Sequence, residues 1–452
     1  MTLLNELSAE VCQRARMSRD PRFDGRFFVA VKTTGIFCRP ICPANLPKEE
    51  NVEYFSSQAL AVSAGYRPCL RCRPESAPHS WAWKGAETTF LRALTLIEQG
   101  ELDGSLETLA SRLGISDRYL RQLFQRHLGM PPKQYAQIQQ LMFAKQLLHT
   151  SQISITEVAY ASGFQSTRRF NDAFQKLFRL TPTQVRRERA ALPSRNHLSL
   201  AFRGPFDWAH MLDFYRLRAI EGMELVDEQS YQRHFVLGEG TGWFKASMAQ
   251  SHLNIEFEME RLSDLRHLVA RLRRMFDLDA DLISIEAHLE QVAPGLVRRT
   301  GIRIPGVWNA WEAGVRAVLG QQVSVKAAIG QLNLLVSTLA ASEGSTRYFP
   351  TPEQVQMSDL SFLRMPERRK ETLKRLADYV RLHPMDSPMA WLSLSGIGPW
   401  TVDYAQLRGE SRSHCFLTGD LIVKKTLAKF PQLTAESVAP WGSYATFHCW
   451  SH

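Results

Sequence analysis

Trp391-Leu-Ser-Leu-Ser-Gly-Ile-Gly-Pro-Trp-Thr-Val-Asp-Tyr404 reads as the end of an apolar helix, a two-glycine turn and the start of a second helix. Pro399 stands at the first helical position, where its missing N–H costs nothing and its fixed φ is already helical. Gly396 and Gly398 leave backbone N–H groups bare at the helix start, a ready place for a phosphate. Trp400 and Tyr404, four residues apart, share one face of the second helix. Asp420 follows within Leu417-Thr-Gly-Asp-Leu-Ile-Val-Lys-Lys425, where an aspartate suits a helix N-cap.

Upstream, Pro305-Gly-Val-Trp-Asn-Ala-Trp-Glu-Ala-Gly-Val-Arg-Ala-Val-Leu-Gly-Gln-Gln-Val-Ser324 predicts a long buried helix with a polar Gln-Gln end. His252-Leu-Asn-Ile-Glu-Phe-Glu-Met-Glu260 alternates strictly, placing Leu253, Ile255, Phe257 and Met259 on one face of a strand. Leu198–Phe202 and Tyr231–Leu237 read as strands too. Residues 196–285 therefore predict a small antiparallel sheet with one or two helices. From Ala287 the pattern is helical, with turns at Pro305-Gly306, Gly344 and Pro350–Pro352.

The apolar helix, Gly-Ile-Gly-Pro turn and later aspartate together resemble the helix-hairpin-helix superfamily of DNA glycosylases. Over residues 196–452 the chain looks like AlkA-type 3-methyladenine DNA glycosylase II. The resemblance implies a TATA-binding-protein-like α/β domain over 196–285, an all-α helix-hairpin-helix glycosylase domain over 286–452, and a catalytic role for Asp420. It gives Trp400 and Tyr404 to a pocket for a flipped-out alkylated purine, whose positive charge favours aromatic faces. Trp441 and Trp450 are further aromatic candidates. Trp400 occupies the position where lyase members carry a Schiff-base lysine, so the expectation is monofunctional hydrolysis. Gly396 and Gly398 are the expected DNA contacts of the hairpin, and a monovalent cation there is a further expectation.

At the other end, Cys38-Arg-Pro-Ile-Cys42 and Cys69-Leu-Arg-Cys72 form two close pairs separated by 26 residues. This spacing fits four sulfurs about one tetrahedral zinc ion, which also keeps its ligands as nucleophilic thiolates. Between about residue 87 and residue 191 a helical pattern repeats. Leu106-Glu-Thr-Leu-Ala-Ser-Arg-Leu-Gly-Ile-Ser116 matches Ile155-Thr-Glu-Val-Ala-Tyr-Ala-Ser-Gly-Phe-Gln165, each with an alanine (Ala110, Ala159) four residues before a glycine (Gly114, Gly163). An amphipathic helix follows each glycine, burying Leu120, Leu123 and Phe124 in one unit and Phe170, Phe174 and Phe178 in the other. A long helix over 134–149 joins the two helix-turn-helix modules. Exposed Arg118, Arg121 and Gln122, and Gln165, Ser166, Thr167, Arg168, Arg169 and Asn171, are candidates for base edges.

The twin modules resemble the AraC-type DNA-binding domain, which reads two successive major grooves. With them directly behind it, the cysteine segment over 1–80 resembles the Ada methyl-phosphotriester repair domain. That resemblance implies that Cys38 takes a methyl group from a DNA phosphotriester while Cys42, Cys69 and Cys72 stay zinc ligands. A four-thiolate zinc site carries a net charge of about −2 and so prefers a neutralised triester to a phosphate. Losing one charge on methylation then favours DNA binding. The family's second methyl acceptor, a Pro-Cys-His-Arg site, has no counterpart here: Cys415 sits in His-Cys-Phe and Cys449 in His-Cys-Trp.

Charge distribution agrees with a polyanionic partner. Residues 1–195 hold 27 Lys and Arg against 17 Asp and Glu, whereas residues 196–452 hold 28 of each. No apolar run reaches the roughly 18 residues of a membrane span, and the first residues lack a signal-peptide core. The expectation is a cytoplasmic, monomeric, multidomain protein, mainly α with α+β parts. Its expected domains cover 1–80, 87–191, 196–285 and 286–452, with a linker over Pro74–Ser80 and both double-stranded DNA and RNA polymerase as partners. The rival reading is a zinc-stapled DNA-binding regulator without glycosylase turnover.

Overall fold

The computed structural model describes residues 7–20, 23–69, 71–72, 74, 81–98, 100, 102, 105–187, 196–339, 342–343, 346–384 and 386–451. The expected linker, apart from Pro74, and the turn at Gly344 lie outside the described residues. By its internal contacts the chain divides into two compact units, Met1–Gln139 and Gln140–His452.

In the first unit, helix α1 (Ala9–Met17) precedes strands β1 (Phe28–Val31), β2 (Ile36–Cys38) and β3 (Val52–Phe55), helix α2 (Gln58–Ser63) and the short strand β4 (Arg67–Pro68). The sheet order is β3-β1-β2-β4, with β4 parallel to β2. Phe27, Phe28, Val29, Ala30 and Phe37 fill two small apolar clusters. So small a core gains from a metal staple. Helices α3 (Trp81–Glu98), α4 (Leu106–Arg112) and α5 (Asp117–Leu128) follow. Ser105 and Ser116 cap α4 and α5, and Gly114 takes φ +68° between them, as the sharp turn requires. Leu120, Leu123 and Phe124 are buried as their spacing predicts.

Helix α6 (Pro132–Thr150) leads to the second module, α7 (Ile155–Ala161) and α8 (Thr167–Phe178), closed by α9 (Pro182–Arg187). Ser154 and Glu157 form a reciprocal capping box on α7, and Gly163 takes φ +84° before α8. Phe170 and Phe174 are fully buried, but Phe178 is only partly so and lies under Lys145 at 5.4 Å.

Strand β5 (His197–Ala201), helix α10 (Trp208–Arg216) and strands β6 (Glu224–Val226), β7 (Ser230–Leu237), β8 (Gly240–Met248) and β9 (His252–Met259) come next. They form a five-stranded antiparallel sheet ordered β5-β9-β8-β7-β6, backed by α10 and α11 (Leu265–Met275). Leu253, Ile255 and Phe257 point into the core as the alternation predicts. Val158, Phe164, Phe170 and Phe174 of the second module join the same apolar cluster as this sheet, and α7 packs on the turn Leu262–Asp264.

The remainder is helical: α12 (Leu282–Val292), α13 (Ala310–Gly320), α14 (Val325–Leu339), α15 (Pro352–Met357), α16 (Glu367–Leu382), α17 (Pro399–Gly409), α18 (Leu421–Leu427) and α19 (Gly442–Trp450). A buried ionic network ties the sheet to α13. Arg233 of β7 meets Glu312 at 2.5 Å and Glu224 at 3.0 Å, while Arg316 meets Glu312 at 2.9 Å and Glu224 at 3.2 Å. No helix among the described residues is long and apolar enough to cross a membrane.

Burial opposes ionisation of Glu312, but Arg233 and Arg316 outweigh it and hold the carboxyl down at about 2. Its stabilising contribution is therefore complete above its ordinary value of 4.5 and drains away as pH falls toward 2. Urea unfolding followed from neutral pH to about pH 3 should show that loss. Glu312→Gln should cost about 3–5 kcal/mol at neutral pH by leaving Glu224 alone against two buried guanidiniums, and should flatten the acid dependence.

Candidate functional site

Two constellations stand out, one in each unit. The four thiols of Cys38, Cys42, Cys69 and Cys72 lie within 4.8 Å of one another. Sheet register explains half of this. Cys38 ends β2, and Cys69 follows β4, its N–H donating to Phe37 O at 3.0 Å, so parallel pairing brings both to one end of adjacent strands. Cys42 is carried back by a turn in which its N–H donates to Arg39 O, and Cys72 Sγ accepts from Arg39 N at 3.4 Å. The Arg39 guanidinium is bound to Asp24.

Zinc ligands at about 2.3 Å stand about 3.8 Å apart at tetrahedral angles, which these sulfurs fit. Their electrostatics ask for a cation. A hydrogen bond to Cys72, burial and the neighbouring sulfurs push the Cys38 thiol well up, whereas Cys72, accepting that bond, falls to about 5. Left to themselves the four cannot all ionise, and a divalent ion removes the conflict. Cys42 and Cys72 are buried; Cys38 and Cys69 are half-exposed.

The second constellation is a cavity of about 380 Å³ in the second unit, within the range of ligand pockets. Asp420, Trp400 and Tyr404 all line it, as do Phe214, Arg218 and Trp450. The hairpin places the aromatic pair. Gly396 takes φ +94°, and a Cβ there would stand 2.0 Å from Thr372 Oγ1, so only glycine fits. Gly398 is the N-cap of α17 with open space above it. Before the turn the chain forms a tighter 3-10 helix, Pro388–Ser393, in place of the predicted α-helix. Trp400 and Tyr404 stack with centroids 5.3 Å apart.

Asp420 caps α18, its Oδ1 accepting from Ile422 N at 2.8 Å and Val423 N at 3.2 Å. Gly419 lies against the Trp400 ring. Helix α19 fixes the approach to Asp420, because Ser443 Oγ and Thr446 Oγ1 accept from Cys415 N and Leu417 N at 3.1 Å. Trp450 lines the cavity and donates to Asp420 Oδ1 at 3.1 Å, whereas Trp441 packs edge-on against Tyr444 and is not in the lining.

Helix α10 supplies a wall that sequence spacing did not reveal. Phe214 stacks with Trp450, and the Arg218 guanidinium lies 3.7 Å over the Phe214 ring. Burial brings Arg218 down to about 10. Burial also opposes ionisation of Tyr404, yet Arg408, Arg218 and Arg316 together bring its phenol below the ordinary value. A cationic base entering here would meet Arg218 as well as Asp420, so aromatic stacking must carry more of its binding than net charge. Amphipathic spacing on α10, with His210 and Phe214 on one face and Arg218 in the turn just past its end, was the available signal.

Arg118 and Arg121 on α5, Arg168 and Arg169 on α8, and Gln165 just before α8 are exposed. Arg121 pairs with Asp117 at 3.1 Å, and the Ser166 hydroxyl caps α8 by accepting from Arg169 N. Thr167, at the first position of α8, is half-exposed.

Comparison with known proteins matches residues 11–75 to the metal binding domain of Ada, 109–188 to a helix-turn-helix domain, and 197–309 to the AlkA N-terminal domain. The chain is 34% identical to the Mycobacterium tuberculosis protein named "Probable bifunctional transcriptional activator/DNA repair enzyme AlkA", over 98% of this chain and 96% of that one. It is 33% identical to DNA-3-methyladenine glycosylase 2 of Escherichia coli over 56% of this chain and 96% of that protein. Similarity to the Escherichia coli bifunctional transcriptional activator/DNA repair enzyme Ada is 35% identity over 38% of this chain and 47% of that one.

Metal analysis of the purified full chain should find one zinc per molecule, and Cys72→Ser should retain far less. A variant that kept its zinc stoichiometrically would remove the buried sulfur from the ligand set.

Proposed function

The chain belongs to the family of bifunctional transcriptional activator/DNA repair enzymes, and on that premise we propose that it handles alkylated DNA at two separate sites. The sequence combines DNA repair with transcription activation, and the finer roles of its residues make up the proposal. Zinc is held by Cys38, Cys42, Cys69 and Cys72, and it keeps those sulfurs as thiolates. Cys38 Sγ attacks the methyl carbon of a methylated backbone phosphate. The S–C bond forms as the C–O bond breaks, and the phosphodiester leaves as an anion. Cys38 is supported in this role by its half-exposed place at the end of β2, with exposed Arg67 on the paired strand β4, and exposed Arg71 beside Cys72, for the flanking phosphates.

At the pocket the reaction is monofunctional hydrolysis of an alkylated purine such as 3-methyladenine. The flipped base stacks on Trp400 and Tyr404. The C1′–N bond breaks with its electron pair leaving on the base, and the ionised Asp420 stabilises the sugar cation. Water adds to C1′, and its proton passes to the carboxylate and on to solvent. The observation that carries this reading is that Asp420, Trp400, Tyr404 and Trp450 line one cavity. An α17 start with Trp400 after Pro399 offers no amine for Schiff-base chemistry.

Bare N–H groups at Gly398 serve a DNA phosphate. The carbonyls of Leu394, Gly396 and Gly398 at this turn accept hydrogen bonds, and their remaining lone pairs would hold a monovalent cation there. Arg118, Arg121, Gln165, Thr167, Arg168 and Arg169 read the operator, with Ser166 holding the helix start. One chain carrying both modules acts as a monomer beside RNA polymerase.

Asp420→Asn should lower base release from alkylated duplex DNA by about 100-fold or more, measured by chromatography of the freed base. Full-rate release by that variant would end the glycosylase assignment. Mass spectrometry after incubation with methylated DNA should show one added methyl on the peptide containing Cys38, and Cys38→Ala should show none. A methyl on Cys69 instead would reassign the acceptor.

A further inference from the structure

Asp420 accepts three N–H donors, and all three reach the same oxygen. Ile422 N, Val423 N and Trp450 Nε1 lie 2.8, 3.2 and 3.1 Å from Oδ1. Among the described residues Oδ2 accepts from none. A cap needs only the two backbone donors, so the indole N–H is surplus to holding the helix. Trp450 is also stiff. It stacks with Phe214 at 6.2 Å and 16°, and meets Phe447 edge-on at 5.0 Å. It ends α19, the same helix whose Ser443 and Thr446 tie down the segment leading to Asp420.

We propose that Trp450 is a positioning residue for base excision: its indole N–H, with the two backbone donors, commits Oδ1 of Asp420 and leaves Oδ2 as the oxygen that faces the sugar and receives the proton of the attacking water. The inference rests on the assignment of Asp420 made above. One physical effect follows. The carboxylate rotor is fixed in one orientation, so the reacting lone pairs need no reorganisation when the C1′–N bond breaks. The ring face of Trp450 has a separate job as cavity wall, and the two jobs separate experimentally because only one needs the nitrogen.

The decisive variant replaces Trp450 in the full chain with 3-benzothienylalanine, which keeps the ring's shape and stacking but has sulfur where the N–H stood. Trp450→Phe serves as a second variant, and Asp420→Asn is run beside both on the same methylated duplex. With the isostere, kcat should fall about 10- to 100-fold while KM changes less than about twofold. The thermal midpoint should stay unchanged. Wild-type kcat would overturn the inference, and so would a loss confined to KM, which would leave Trp450 as a stacking wall only. If Asp420→Asn turned over at full rate, the fault would lie in the choice of carboxylate, and the inference would fall with it.

Discussion

Glu312 between Arg233 and Arg316 is the interaction on which the pocket-bearing half depends. Arg233 comes from the sheet, Glu312 and Arg316 from α13, and Glu224 from the edge strand closes the ring. Four charges buried together contribute little net stability over apolar packing, yet removing one member is costly because it strands the others. Such a network acts as a registration device. Arg316 also donates to Arg218 O at 3.0 Å, so the same guanidinium that answers Glu312 pins the end of the segment carrying Phe214 and Arg218. The pocket wall from α10 and the helices that bear Trp400 and Asp420 meet in a fixed relation for that reason.

Within that frame the pocket is assembled from stretches more than 200 residues apart in sequence, from α10 to α19. Its chemistry comes from double use of ordinary parts. Asp420 is at once a helix cap and the carboxylate of the cavity. Trp450 is both a wall and a hydrogen-bond donor. Tyr404 stacks on Trp400 while its hydroxyl accepts from Arg408 at 2.8 Å, and Arg408 in turn lies 4.8 Å over Phe214. Tyr404, Phe214 and Trp450 are thereby each tied to a charged group, and the walls of the cavity are already fixed.

What the sequence disclosed follows from how local each constraint is. The Gly-Ile-Gly-Pro turn was legible because Gly396 answers to its own φ and to the approach of Thr372. The cysteine cluster was legible because two short spacings nearly close a tetrahedron. Phe170 and Phe174 were legible by helical period, as were Leu253, Ile255 and Phe257 by alternation. Strand β8 escaped because Gly240-Thr-Gly-Trp has little β character by itself and is held by pairing on both sides, to Ser230–Leu237 and to Leu253–Met259. Phe178 lost part of its burial to a terminal position beneath Lys145. Phe214 and Arg218 left only the spacing along α10 as a signal, and the Trp450–Asp420 bond left none, since it depends on α19 meeting a cap thirty residues earlier in the chain.

Each recognition helix keeps company with a different chemistry. Helix α5 belongs to the unit that holds the four cysteines, and α8 to the unit that holds the pocket, where its module shares one apolar core with the sheet. On the proposed reading, methyl transfer removes one negative charge at Cys38, an effect felt chiefly by phosphates within a Debye length of about 8–10 Å. The backbone affinity of the cysteine unit rises, and the first module gains directly from it. The second module belongs to the other unit, and its orientation is fixed by packing of α7 on the turn Leu262–Asp264 within that unit. On that reading a stoichiometric reaction switches DNA affinity on at one unit, while turnover at Asp420 continues in the other without being spent.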